Sequence, residues 1–132
     1  MSQAHVVVVG VTDADTSQAI CRHLAKTGEV VLRSMRHFDD ILLAVLAGNA
    51  DLLVLDLELE GVNGFKSVEV LRRACPSLQL IVISPDPAIE KGRKILAHGI
   101  FYYAIKPVPT PELLAALDQA VGGRANGSAK HA

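Results

Sequence analysis

Asp56, Ser84 and Lys106 each close an apolar run in this 132-residue sequence. Asp56 follows Leu52-Leu53-Val54-Leu55, Ser84 follows residues 78–83 and Lys106 follows residues 100–105. Pro85 and Pro107 stand directly after the last two. A first run, residues 6–11, gives way to Thr12, Asp13 and Asp15, while Glu58 and Glu60 come soon after Asp56. Taken singly, Asp56 reads as a loop cap, Ser84 as a turn residue and Lys106 as a solvated end. Taken together, an acid, a hydroxyl and an amine at the ends of several strands form one polar pocket, if the fold sets those ends side by side.

The elements that must do this are five short apolar runs, at residues 6–11, 30–32, 52–55, 78–83 and 100–105. Most are apolar throughout instead of alternating, which suits strands buried on both faces of a parallel sheet. Between them lie stretches of helical length at residues 16–27, 38–47, 65–75 and 88–98. Gly28, Gly48 and Pro76 mark the ends of the first three, and Gly92 lies inside the fourth. A last helix opens at Thr110-Pro111, carries Leu113, Leu114, Leu117 and Val121 on one face and meets Gly122-Gly123. Strand–helix alternation of this kind predicts a doubly wound (βα)5 α/β sandwich of three layers with right-handed crossovers. In such a sheet, ligands and chemistry gather at the carboxyl ends of the strands.

Composition excludes several function classes. Thirteen Lys+Arg against fourteen Asp+Glu leave a formal charge of -1, which argues against binding nucleic acid through a strong positive field. No run approaches the ~18 apolar residues of a membrane span, and the N-terminus lacks the features of a signal peptide, so a cytoplasmic location is expected. With 50% hydrophobic but only 4% aromatic residues, the core must be built from aliphatic side chains. Cys21 and Cys75 form no metal-binding spacing and read as two small buried hydrophobes. No GxGxxG, no GxxxxGK[ST] and no Ser–His–Asp arrangement supports a flavin- or nucleotide-binding domain or a hydrolase, and no enzyme is predicted. His23 reads as a surface or half-buried residue. Residues 1–122 are expected to form one domain, with 123–132 a flexible tail or truncated linker.

Leu52 to Asp56, Gly64 eight positions after the acid, Ser84 and the Lys106-Pro107 pair together resemble the receiver domain of bacterial two-component response regulators. The likeness extends over residues 5–121. It implies a flavodoxin-like fold with a five-stranded parallel sheet in the order 2-1-3-4-5. It also implies a place in a phosphorelay, with Asp56 accepting a phosphoryl group from a sensor histidine kinase or phosphotransfer protein. Lys106 would bind a phosphoryl oxygen, the Ser84 hydroxyl would move to hydrogen-bond the group, and Tyr103 would follow as an aromatic switch. The Lys106-Pro107 bond would be cis. Output would pass through the face of the fourth helix, fifth strand and last helix to a downstream protein partner, or to a second copy in a homodimer. Lys91, Arg93, Lys94, Phe101 or Tyr102, and Tyr103 would lie on that face.

The sequence departs from the receiver pattern at three places. Two adjacent acids are expected after the first strand, where Val11 and Thr12, or Gly10 and Val11, stand instead. Magnesium is therefore expected to bind weakly or not at all, through Asp56 with Asp13 and Glu58 as weak ligands. Asp13 and Asp15 read equally as helix caps. Pro85 removes a backbone N–H where a phosphoryl oxygen would be met, and Glu60 replaces a proline. Two functions follow: a receiver phosphorylated on Asp56, or a pseudo-receiver acting as a phosphorylation-independent interaction module.

Overall fold

The computed structural model describes residues 4–125. Five parallel strands, β1 (His5–Gly10), β2 (Val30–Ser34), β3 (Leu52–Asp56), β4 (Gln79–Ser84) and β5 (Tyr102–Ile105), form one sheet in the order β2-β1-β3-β4-β5. The helices are α1 (Ala14–Leu24), α2 (Phe38–Leu46), α3 (Gly64–Ala74), α4 (Ile89–Leu96) and α5 (Thr110–Ala125), with a 3-10 turn at Ala25–Thr27. The expected flavodoxin-like three-layer architecture is the one observed.

The even spread of apolar residues in the strands matches two cores, one on each face of the sheet. Val8, Leu53, Leu55, Leu80 and Val82 face α2, α3 and α4, against Ile41, Val45, Val68, Leu71 and Ile95. Val7, Val9, Val54, Ile81 and Ile83 face α1 and α5, against Ile20, Leu24, Leu113 and Leu117. Consecutive strand residues point to opposite faces, so β3 is buried along its whole length. β2 is an edge strand and is only half-buried or exposed.

Several boundaries differ from those expected. α1 starts at Ala14 because Asp13, in extended conformation, caps it by accepting from the Thr16 N–H at 3.0 Å. Thr110 is the first residue of α5 and not a cap outside it. α5 continues through Gly122-Gly123 to Ala125, three residues beyond the expected domain end, since both glycines stay helical. The rest of the expected tail, residues 126–132, lies outside the described residues. Cys21 and Cys75 are free and half-buried, not fully buried. Among the described residues no helix is long and apolar enough to cross a membrane.

Candidate functional site

The pairing register determines what meets Asp56. Gly10 pairs with Leu55, so the chain leaving β1 carries Val11 and Thr12 alongside the end of β3. Asp56 pairs with Ile83 and Ser84 with Ile105, which brings Lys106 round beside Asp56. Gly10, which carries no dinucleotide motif, has a packing reason. A Cβ there would lie 2.7 Å from Ile41 Cδ1 and 3.0 Å from Leu59 Cδ2. Gly64, eight residues after Asp56, opens α3 at a φ of 45°, a conformation unfavourable for any residue with a Cβ.

Asp56 is completely buried. Its Oδ2 accepts from the Thr12 N–H at 3.0 Å and from the Thr12 hydroxyl at 2.7 Å, and lies 2.9 Å from Lys106 Nζ. Its Oδ1 accepts from the Glu58 N–H at 2.9 Å. Lys106 Nζ also reaches Glu58 Oε1 at 2.6 Å and donates to Thr12 Oγ1 at 3.3 Å. Side-chain exposure rises from 0% at Asp56 through 23% at Lys106 to 52% at Glu58. The three charges thus form a chain leading from the core to solvent.

Burial alone would push the Asp56 carboxyl upwards, but the hydrogen bonds from Thr12, from the Glu58 backbone and from Lys106 outweigh it and hold the group below 3.8. Burial likewise opposes the charge on Lys106, and its contacts with Glu58 and Asp56 raise it above 10.5 all the same. Both partners shift towards their charged forms, so the ion pair is the resting state near neutral pH.

Of the residues picked out by sequence, the structure joins Asp56, Lys106 and Glu58. No hydrogen bond or ion pair joins Ser84, Asp13 or Tyr103 to them, although Asp13 lines a cavity beside Lys106. The buried Ser84 hydroxyl accepts from the Asp86 N–H at 3.1 Å and shapes the turn after β4. Asp13, expected as a weak metal ligand, turns its carboxylate to Thr16 N and Oγ1 instead. Tyr103 packs beneath α4, with its ring 3.3 Å from where a Cβ on Gly92 would stand. Tyr102 is half-buried on the opposite core, so Phe101 alone of these aromatics is exposed. Lys106-Pro107 is cis, as expected. His23 bonds Asp118 at 2.7 Å, joining α1 to α5. Thr12 is the site residue that sequence reasoning passes over. It is named there among the polar residues after the first run and as a position lacking an acid, but is given no role, although a hydroxyl directly after β1 is itself a signal.

Comparison with known proteins agrees with this fold. The family model described as response regulator receiver domain matches residues 8–118. The transcriptional regulatory protein CusR of Escherichia coli (strain K12) is 32% identical over 100 residues, which cover 76% of this chain and 44% of that protein. The DNA-binding transcriptional regulator NtrC of Proteus hauseri is 26% identical over 114 residues, 86% of this chain and 24% of that protein. The chain therefore spans less than half the length of these relatives. Among solved structures, the signal receiver domain of an HD domain-containing protein from Pseudomonas fluorescens Pf-5 superposes with a TM-score of 0.78 at 21% identity. That match covers 97% of this chain and 94% of that one. The isolated REC domain of RcsB from Salmonella enterica serovar Typhimurium, solved with the phosphomimetic BeF3-, gives 0.69 at 18% identity, covering 92% and 97%.

Proposed function

Since this chain belongs to the response regulator receiver domain family, we propose that it is the signal-receiving module of a two-component phosphorelay, accepting a phosphoryl group on Asp56. The donor is a sensor histidine kinase or a phosphotransfer protein. The observation that carries this reading is the ion pair of 2.9 Å between Lys106 Nζ and the wholly buried Asp56 carboxylate at the carboxyl end of β3. Oδ2 has three donors and Oδ1 has one, so the available lone pair lies on Oδ1. In the reaction Oδ1 attacks phosphorus in line, the P–N bond to the donor imidazole breaks, and the imidazole leaves with the electron pair and takes a proton from water. Lys106 neutralises charge on the transferring group. Because Asp56 has no exposure, the Lys106–Glu58 pair on its solvent side must open first.

Magnesium, implied by the family, does not suit the residues at this pocket. The Asp13 carboxylate is engaged by α1, Thr12 supplies a neutral hydroxyl, and the Lys106 ammonium already bridges Asp56 and Glu58. Among the described residues no group of three or more His, Cys, Asp or Glu could hold a metal ion.

A phosphoryl group adds about −1.5 to −2 charges at pH 7, enough to redistribute the bonds of Lys106 and bias the neighbouring face. That face presents Ile89, Leu96, Phe101 and Ile105 to solvent beside the basic residues of α4, a mixture suited to a protein partner or a second copy. Treatment with phosphoramidate is expected to give a slow, partial mass increase of one phosphoryl group, absent in Asp56→Asn, and a change in solution mass as the face responds. No modification by any of several donors would sink the phosphoacceptor reading. One observation favours the pseudo-receiver instead. Both Asp56 oxygens are hydrogen-bonded within a closed pocket, which is a stable arrangement for a module switched by protein contact alone.

A further inference from the structure

The Thr12 hydroxyl has two fixed roles. It donates to Asp56 Oδ2 at 2.7 Å and accepts from Lys106 Nζ at 3.3 Å, so its proton position is dictated from both sides. The Thr12 backbone N–H adds a second donor to the same oxygen at 3.0 Å. One residue therefore supplies two of the three donors on Oδ2, and Lys106 supplies the third. Two carboxylates, Asp56 and Glu58, are in direct contact with one ammonium, while Asp13 and Asp15 line the adjoining cavity. A further carboxylate at position 12 would stand within hydrogen-bonding distance of Asp56 and bring three acids into contact with one cation. That arrangement calls for a divalent ion, whereas a hydroxyl does not.

A divalent ion would also have to share the oxygen at which it is needed. Magnesium requires near-octahedral oxygen ligation and gives up its waters reluctantly. Here Oδ2 already has an ammonium at 2.9 Å, whose charge repels a second cation.

We propose that Thr12 is a positioning residue which, together with Lys106, replaces a divalent cation at Asp56, so that this pocket binds and transfers a phosphoryl group without metal. Thr12 and Lys106 hold Oδ2, turning Oδ1 towards the incoming phosphorus, and Lys106 supplies the positive charge. The inference deepens the phosphoacceptor reading and rests on it for the transfer step, while its claim about metal can be tested apart.

The test has two arms, both on the full chain. In the first, magnesium is titrated by calorimetry and manganese by its paramagnetic relaxation, against the wild type, Thr12→Asp and Thr12→Asn. The wild type is expected to show no saturable site below about 10 mM. Thr12→Asp should gain a millimolar or tighter site, about tenfold or more stronger, and Thr12→Asn should gain none. In the second arm, phosphoramidate labelling of Asp56 is followed with chelator and with magnesium. The wild-type rate should be the same in both. It should fall in Thr12→Val, which keeps the N–H but loses the hydroxyl, and recover in Thr12→Ser. A saturable site in the wild type below that limit overturns the proposal, as does a labelling rate that requires magnesium. A folded Thr12→Asp without metal binding removes the role given to Thr12. Should Thr12→Asp not fold, the wild-type titration and the Ser-for-Val rescue still decide. If no chain is labelled while the titrations come out as expected, the phosphoacceptor reading fails and the metal-free pocket stands.

Discussion

Two cations, Lys106 and Arg72, lie at opposite ends of one sheet and hold it in different ways. At the carboxyl end, Lys106 bridges two carboxylates, one buried and one half in solvent. At the amino end, the Arg72 guanidinium donates to four backbone carbonyls: His98 and Pro76 at 2.8 Å, Leu78 at 2.6 Å and Gly99 at 3.1 Å. Those carbonyls belong to the segments leading into β4 and β5, so one side chain of α3 fixes where both strands begin. The planar fork of Arg serves fixed acceptors at several angles, whereas the ammonium of Lys is a point charge that can exchange partners. The contrast separates a charge used for architecture from one placed where it can move.

The largest expected effect tests that separation directly. Arg72→Ala leaves four carbonyls without their donor and is expected to cost about 3 kcal/mol. In a chain of this size that is roughly a 10 °C fall in Tm. Arg72→Lys should recover little, because an ammonium cannot reach all four. Lys106→Ala is expected to cost roughly 1–2 kcal/mol, below the ~3–5 of a fully buried pair, since Thr12 and Glu58 still donate to Asp56. The functional order is reversed: Lys106→Ala should suppress phosphoryl acceptance, and Arg72→Ala should preserve it below its own melting point. Thermal melts alongside labelling measure both. A greater stability loss from Lys106→Ala than from Arg72→Ala would break the comparison.

The response to acid should be smaller and confined to one end. The carboxylates held below 3.8, Asp13, Asp56 and Asp86, all follow or end strands at the site end. For each, hydrogen bonds or cationic neighbours favour the charged form. Folded values below the unfolded ones mean that the stabilisation is present above about pH 4 and is lost as pH falls through the folded values. Lys106 has the opposite sign, its contribution being present below 10.5 and lost above the raised value. Denaturant midpoints recorded from pH 7 down to pH 2 should therefore show a shallower acid limb for Asp56→Asn. Arg72→Ala should shift the whole curve downwards without changing its shape. An unaltered acid limb in Asp56→Asn would show that the Asp56 bonds do not favour its charged form.

The site end is far more legible in the sequence than the other. Asp56, Ser84 and Lys106 announce themselves as polar residues closing apolar runs, and strand order follows from the family resemblance. What escapes is direction. Asp13 and Ser84 stand at the right strand ends, yet each finds a nearer partner within three residues, Thr16 and Asp86 respectively. Local side chain–backbone bonds of this kind compete with long-range ones, and spacing along the chain does not rank them. Arg72 is invisible for the opposite reason. On α3 it resembles any helix-surface arginine, and its partners are main-chain carbonyls that no residue type marks. Thr12 is hidden by expectation, because a neutral hydroxyl where acids are anticipated reads as an absence.

The smallest predicted effect concerns a buried hydroxyl on β5 left without a partner. The Tyr103 hydroxyl is buried and has no hydrogen-bond partner among the described residues, unlike the guanidinium of Arg72, which makes four hydrogen bonds. Burying a hydroxyl unpaired is unfavourable by about 1–3 kcal/mol. Tyr103→Phe keeps the ring in its place beneath α4 and removes that penalty, so the resting protein should become about 1 kcal/mol more stable, raising Tm by roughly 3–5 °C. Gly92 lets the ring lie close to the helix. A Cβ there would lie 3.3 Å from Tyr103 Cε2, a tight contact that offsets part of the ~1 kcal/mol by which alanine is otherwise favoured inside a helix. A hydroxyl that destabilises the resting state acquires a use only if another state gives it a partner. The phenylalanine variant should then be more stable at rest yet show a smaller change in its output face on phosphorylation. A lower Tm for Tyr103→Phe would mean that the hydroxyl is bonded at rest, and the contrast between the two ends of the sheet would rest on Lys106 and Arg72 alone.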